Sequence, residues 1–173
     1  MKKTKLLLTL MFFSFAFALN LYASSAQIPW KLKLNIFNYN ERNLTFEDFK
    51  GKVLIINFFA TYCPPCQVEL YEFANMYPEL KAKGVEIISF MVDEGGERLL
   101  PHLIHSKNIK YYVAVADESV LSAFDWPDIL PTTFLVDREG RIVRKFVGFT
   151  GTETLKKEID KLLQNQSAKK SEE

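Results

Sequence analysis

The sequence predicts an α/β fold, with a central mixed sheet covered by helices on both faces in a single domain. Three observations predict it. Two runs rich in β-branched and aromatic residues, "VLIINFFA" (53–60) and "VEIISFMV" (85–92), are nearly continuously apolar, as strands buried on both faces of a parallel sheet are. Segments with helical spacing of apolar residues alternate with them. Near the C-terminus, "TFLVD" and "IVRKFVG" flank Arg138-Glu139-Gly140, a hairpin signal that adds antiparallel strands.

The amino terminus is separate from that domain. Lys2, Lys3 and Lys5 precede a nearly unbroken apolar run from Leu6 to Leu19, and small residues follow in "YASSAQ". Basic, apolar and small, in that order, is the signature of a secretory signal, with cleavage after Ser25 or Ala26. Retention as an anchor is the other reading. Leu6 to Ala23 is about the minimum for a membrane span, although Thr9, Ser14 and Asn20 weaken it. No cysteine lies near the cleavage point, which excludes a lipid-anchored lipoprotein. Either way the lysines keep the amino terminus cytoplasmic and the bulk of the chain is exported. Residues 1–26 are thus expected to be a signal peptide or anchor, 27–164 the domain, and 165–173 a mobile polar tail. The location expected is the bacterial periplasm or the outer face of the inner membrane, with membrane contact only through an uncleaved amino terminus.

Without the three lysines, 22 basic residues become 19 against 21 acidic ones, a net charge of about −2. With no arginine-rich stripe, nucleic acid is excluded as a partner, and a monomer is expected.

Taken in order, "KLKLNIF" (31–37) alternates polar and apolar residues and reads as a strand. The run 53–60 is the next strand. Pro64 to Lys83 turns helical through Val68, Leu70, Tyr71, Phe73, Ala74 and Leu80, with Gly84 as the stop and a kink expected at Pro78. After the strand at 85–92, Gly95-Gly96 is too little for a phosphate loop and reads as a turn. Glu97 to Ser106 reads as a helix, "YYVAVA" as a short strand, and Ser119 to Phe124 as one or two helical turns. Thr152 to Leu163 closes the chain as a helix, with Thr152 as its expected N-cap.

Both cysteines of the chain, Cys63 and Cys66, lie in "FFATYCPPCQVEL", where a buried strand hands over to a helix. Three readings compete: a structural disulfide, half of a metal site, or a redox-active dithiol. A two-residue loop constrains the unfolded chain very little, so the structural staple is weak. A zinc site needs further ligands, and neither a second CxxC nor a matched His pair is present. His102 and His105 could share a helix face and read as ordinary solvated residues. The dithiol reading fits the location. Cys63 is expected in the first turn of the helix, where free N–H groups and the helix dipole stabilise a thiolate. Pro64 and Pro65 suit the first helical positions and stiffen the turn, with Cys66 as the buried resolving thiol.

A strand running into "FFATYCPPC" and a helix, then "ILPTTFLVDREGRIV" and a last helix, resembles the thioredoxin superfamily. More narrowly it is similar to the exported TlpA/ResA-like thiol-disulfide oxidoreductases, many of which serve cytochrome c maturation. The resemblance runs from about Gln27 to Leu163, with "LPTTF" about 65 residues after the cysteines and "D-x-x-G-x-I" following. It implies a thioredoxin-like fold and no cofactor beyond the Cys63–Cys66 disulfide, with metal ligands absent. It also implies a cis peptide bond before Pro131, which brings a backbone edge at Leu130 beside the thiols. Tyr62, Leu130, Pro131 and Thr132 become the expected substrate-binding residues. Tyr62 departs from the tryptophan common in relatives, and Trp126 could line the same groove or pack in the core.

Asn57, six residues before Cys63, stands where cytosolic thioredoxins usually carry an aspartate that helps deprotonate the resolving thiol. Glu69, three residues after Cys66, matches a glutamate of the cytochrome-maturation group and is expected to be the proton acceptor. Glu72, one turn on, reads as an ordinary surface residue. The expected function is an exported reductase of protein disulfides, with apocytochrome c as a natural client and a membrane thiol carrier as electron donor. A disulfide oxidase or isomerase of the same fold is the alternative. A peroxiredoxin-like peroxidase, on the strength of Thr61, and a copper or zinc carrier are the rivals from other classes.

Overall fold

The structure is a computed structural model that describes residues 26–39 and 44–170, with backbone alone for 165–170. The expected signal or anchor segment lies outside the described residues up to position 25, as do the last three residues. Among the described residues no helix is long and apolar enough to cross a membrane. In chain order the elements are β1 (Asn35–Ile36), β2 (Val53–Phe59), α1 (Pro64–Ala82), β3 (Val85–Met91), α2 (Leu100–Ser106), β4 (Tyr112–Val115), α3 (Glu118–Ala123), β5 (Thr132–Val136), β6 (Ile142–Val147) and α4 (Thr152–Lys170). Short 3-10 turns cover Phe46–Phe49 and Gly96–Leu99.

The two apolar runs sit at the centre of the sheet, whose order is β1-β4-β3-β2-β5-β6. β2 and β3 are buried along their whole length and pair in parallel from Val53 with Val85 to Phe59 with Met91. β4 continues the parallel part, while β5 and β6 run antiparallel and β1 caps the far edge. The steps from β2 to β3 and from β3 to β4 go in the same direction. Right-handed crossovers therefore place α1 and α2 on one face. α4 joins them through Leu155 and Ile159, packed with Leu70, Phe73 and Leu103 against Ile55 and Ile87. The other face is covered by α3, the Phe46–Phe49 turn and the N-terminal segment, around Phe58, Phe90, Phe124 and Phe134.

Several elements differ from the sequence expectation. Only Asn35–Ile36 of the 31–37 segment joins the sheet. Upstream, the chain pairs with 44–46 instead: Leu34 donates its N–H to Leu44, Phe46 donates to Leu32, and Lys33 bridges Thr45. α1 is continuous through Pro78, which sits on its exposed side. The Glu97–Ser106 helix divides into a 3-10 turn and α2, with Pro101 in the first turn of α2. Thr152 is the first helical residue of α4 rather than its cap. The carbonyl of Gly151 accepts N–H groups from both Thr154 and Leu155. The backbone of α4 continues beyond Leu163 to Lys170.

Phe58 stacks on Phe90 at 5.5 Å and meets Phe124 at 5.3 Å and Phe134 at 5.9 Å, all on the face away from α1. Phe58→Ala is therefore expected to cost about 3–5 kcal/mol of unfolding free energy. Denaturant titration measures this, and a loss below about 1 kcal/mol would mean that the cluster repacks around the missing ring.

Candidate active site

Four residues connect β2 to α1, from Ala60 to Cys63. Cys63 is the N-cap of α1, in extended backbone at φ −91° and ψ 106°, and Pro64 and Pro65 are the first two helical residues. It stands one position earlier than the sequence reading put it. The reason is local: a proline forces the residue before it out of helical backbone, and extended backbone is what an N-cap requires. The Cys63 Sγ accepts the Cys66 backbone N–H at 3.3 Å, and the two cysteines form a disulfide. Cys63 keeps 8% of its surface exposed and Cys66 none, so of the pair only Cys63 reaches solvent.

One turn beyond Cys66, Glu69 is fully buried. Its Oε2 accepts hydrogen bonds from Asn57 Nδ2 at 2.8 Å and Thr133 Oγ1 at 3.1 Å, and its Oε1 accepts the Thr150 N–H at 3.2 Å. Sheet register explains the convergence. Asn57 on β2 lies opposite Thr133 on β5, both on the face that packs against α1, and Asn57 Nδ2 also reaches Thr133 Oγ1 at 3.0 Å. Burial pushes the Glu69 carboxyl up to about 7. The Thr150, Thr133 and Asn57 donors oppose that rise, and the nearby charge of Glu72 adds to it. The amide of Asn57 is oriented by the carboxylate, which leaves its Oδ1 buried without a partner. Beside this group, Tyr111 is fully buried and donates to the Leu70 carbonyl at 3.3 Å. Burial raises its phenol pKa, and the charge of Glu69 raises it further.

Glu72 is half-buried and accepts the Thr152 hydroxyl at 2.6 Å, so it ties α1 to the start of α4 rather than lying free on the surface. The Leu130–Pro131 bond is cis and Pro131 is buried. Leu130 is half-buried against both apolar clusters. The Thr132 side chain turns inward, with its hydroxyl donating to the Ile129 carbonyl at 2.6 Å. Tyr62 is 76% exposed. Trp126 is exposed rather than packed in the core, and it follows Asp125 in left-handed backbone, at φ 45° and 56° respectively. β5 begins and β2 and β6 end at the same margin of the sheet, so Tyr62, Ile129 and Phe149 share the edge of Cys63. His102 and His105 are exposed on α2. Among the described residues no group of three or more His, Cys, Asp or Glu is arranged to hold a metal.

Three contributors escape a reading of the sequence. Thr133 lies in "PTTF", but strand alternation alone does not say which threonine faces α1. Thr150 acts through its main chain, which carries no sequence signal. Asp93 accepts both the N–H and the hydroxyl of Thr61, at 2.8 and 2.6 Å, on the loop that leads to Cys63.

Comparison with known proteins agrees with this geometry. The Redoxin family model matches residues 24–163. The chain is 32% identical over 121 residues to the thiol-disulfide oxidoreductase ResA of a Bacillus cereus strain, covering 70% of this chain and 69% of the relative. With ResA of Bacillus subtilis (strain 168) the identity is 36% over 118 residues, 67% of this chain and 64% of the relative. The crystal structure of a putative thiol:disulfide interchange protein DsbE from Chlorobium tepidum matches with a TM-score of 0.65 at 22% identity, over 81% of this chain and 99% of that one. StoA from Bacillus subtilis matches with a TM-score of 0.61 at 20% identity, over 73% and 93%. The chain belongs to the Redoxin family. It has the thioredoxin-like fold and is a thiol-disulfide oxidoreductase of the ResA type with a Cys63–Cys66 pair.

The raised Glu69 pKa sets a pH dependence of stability. The folded protein holds this proton up to about pH 7, whereas the unfolded chain releases it near 4.5. Glu69 is therefore neutral in its effect below the unfolded value and destabilises increasingly as pH rises towards the folded one. Glu69→Gln lacks that titration. Its unfolding free energy relative to the parent is expected to improve by about 2–3 kcal/mol between pH 4.5 and about 8. Urea titrations of both oxidised proteins check this, and parallel pH profiles would place the carboxyl near its ordinary pKa.

Proposed function

We propose that this Redoxin-family enzyme is an exported reductase of protein disulfides, in which Cys63 attacks, Cys66 resolves and Glu69 accepts the proton of the second step. The observation that carries it is a helix N-terminus holding the Cys63 sulfur while a buried carboxyl, with its pKa near 7, lies one turn beyond Cys66. In the reduced pair, the Cys63 thiolate attacks a client disulfide. One S–S bond forms to the client, and the client's own bond breaks to release a thiolate. Cys66 then loses its proton, attacks the Cys63 sulfur and releases the second client thiol. Two electrons have passed from the pair to the client, which leaves the Cys63–Cys66 disulfide.

The proton of Cys66 is the difficulty in that sequence. Desolvation raises the pKa of a buried thiol, so a base must be close. Asn57 cannot act as one, and Glu69 has a pKa matched to the task near neutrality. Asn57 and Thr133 hold the Glu69 carboxylate in place.

The direction rests on what lies between the thiols. Pro64 and Pro65 bring no charge and no side-chain donor to stabilise the Cys63 thiolate beyond the helix itself. A less stabilised thiolate makes the dithiol the better electron donor. A reductase outside the cytoplasm needs an external dithiol, a role for a membrane thiol carrier. Tyr62, Trp126, Ile129 and Phe149 offer exposed apolar surface to a client chain, with Leu130, Pro131 and Thr132 shaping the bend beside it. An extended CxxCH segment of apocytochrome c fits the reading as client. The basic, apolar and small order of the amino terminus supports export.

Two measurements test this. The reduction potential of the pair is expected nearer that of thioredoxin, about −270 mV, than that of DsbA, about −120 mV. A value at the oxidising end would reverse the direction. Glu69→Gln is expected to slow resolution of a Cys63 mixed disulfide by about tenfold or more and to abolish its rise with pH around 7. Glu153→Gln, exposed in the first turn of α4, serves as control, since Glu72 is tied to Thr152. Equal effects of the two substitutions would assign the proton to water or to the client.

A further inference from the structure

The loop that presents Cys63 is short, exposed at Tyr62, and carries no apolar anchor between Ala60 and Cys63. A main-chain bond from the Cys63 N–H to the Ala60 carbonyl closes it, and Thr61 ties it to its surroundings with all its polar groups engaged. The Thr61 N–H donates to Asp93 Oδ1 at 2.8 Å, its hydroxyl donates to Asp93 Oδ2 at 2.6 Å, and its carbonyl accepts Gln67 Nε2 at 3.0 Å. Asp93 comes from just beyond β3, the strand paired alongside β2, so the fork links the two central strands where they leave the sheet. The chain beyond it makes room for this carboxylate. Gly95 turns through left-handed backbone at φ 74°, and buried Gly96 donates its N–H to the Asp93 carbonyl. A Cβ on Gly96 would lie 2.3 Å from Asp93 Oδ2 and 2.8 Å from Met91 Sδ.

We propose that Asp93 is a positioning residue for the Cys63–Cys66 pair, acting through the fork to Thr61 and dependent on the missing side chain at Gly96. Asp93 makes no hydrogen bond to either sulfur. In the disulfide state the short covalent ring already fixes Cys63 against α1. In the dithiol and mixed-disulfide states that constraint is gone, and the Thr61 fork then acts with the Cys63 backbone bonds to Ala60 and Gln67 to restrain where the Cys63 sulfur sits. Holding the two sulfurs near each other raises the effective concentration of Cys66 at Cys63, which favours both ring closure and resolution. Loss of the fork frees the open states more than the closed one. The equilibrium between dithiol and disulfide then moves towards the dithiol. This rests on the exchange chemistry of the pair and is independent of which way electrons flow to clients.

The test is the equilibrium constant of the pair against a glutathione buffer, measured on the full chain together with its thermal unfolding midpoint. Asp93→Ala is expected to lower the constant for disulfide formation about tenfold, equivalent to about 30 mV. Asp93→Asn keeps an acceptor for the Thr61 N–H and a partner for its hydroxyl, and is expected to stay within about twofold of the parent. Should Asp93→Ala fail to fold, Thr61→Val decides: it loses the hydroxyl arm alone and is expected to lower the constant about threefold. An unchanged constant in a folded Asp93→Ala overturns the proposal. So does an Asp93→Asn protein as impaired as Asp93→Ala, because charge would then be acting rather than the fork. Neither result touches the reductase reading, which is decided by the parent's own potential.

Discussion

The arrangement around Cys66 depends on one buried carboxylate. Removing an ionisable oxygen pair from water costs several kcal/mol unless donors replace the lost hydration. Glu69 obtains its donors from β2, from β5 and from the loop after β6, while its own backbone belongs to α1. Those four segments must therefore meet in one register. A slip of β5 by one residue would turn Thr133 to the opposite face and remove a donor. The compensation is partial, and the near-neutral pKa is the chemical expression of that shortfall.

The same constraint accounts for the residue types nearby. An aspartate at position 57 would set a second carboxylate against Glu69, whereas the Asn57 amide presents a donor. The cost is an amide oxygen left without a partner, a penalty of about 1–3 kcal/mol. Further stability comes from the other side of the sheet, where Phe58, Phe90, Phe124 and Phe134 pack in stacked, tilted and edge-to-face contacts. Both faces carry apolar packing that keeps the strands in register, and the one facing α1 also holds the polar row beneath the thiols.

Much of this was legible in the chain. The apolar runs at 53–60 and 85–92 mark central strands because continuous β-branched sequence has no solvent face to satisfy. Pro64-Pro65 marks a helix start for an equally local reason, and the shift of Cys63 to the N-cap follows from the rule for residues before proline. The alternating 31–37 segment misled because alternation reports a half-buried extended chain without saying what it pairs with. Here residues 32–34 pair with 44–46, and only 35–37 pair with β4. Trp126 was undecidable from its type alone, since an aromatic residue suits both core and surface. The left-handed turn at Asp125 and Trp126 decided for exposure.

By itself the sequence determined the α/β class, the position of the dithiol at a strand-to-helix junction, and the one carboxyl side chain within a helical turn of Cys66. Each is a property of neighbours in the chain: periodicity, proline restriction, and the i to i+3 spacing. Tertiary structure decided the rest. It set the burial of Glu69 and hence its pKa, the choice of Thr133 over Thr132 as a donor, the main-chain contribution of Thr150, and the Asp93 fork that holds Thr61. These depend on strand register and loop closure between residues 32 to 81 positions apart. Such contacts leave no periodic trace in a single chain, because hydrogen bonds between distant segments are satisfied only once the sheet has brought them together.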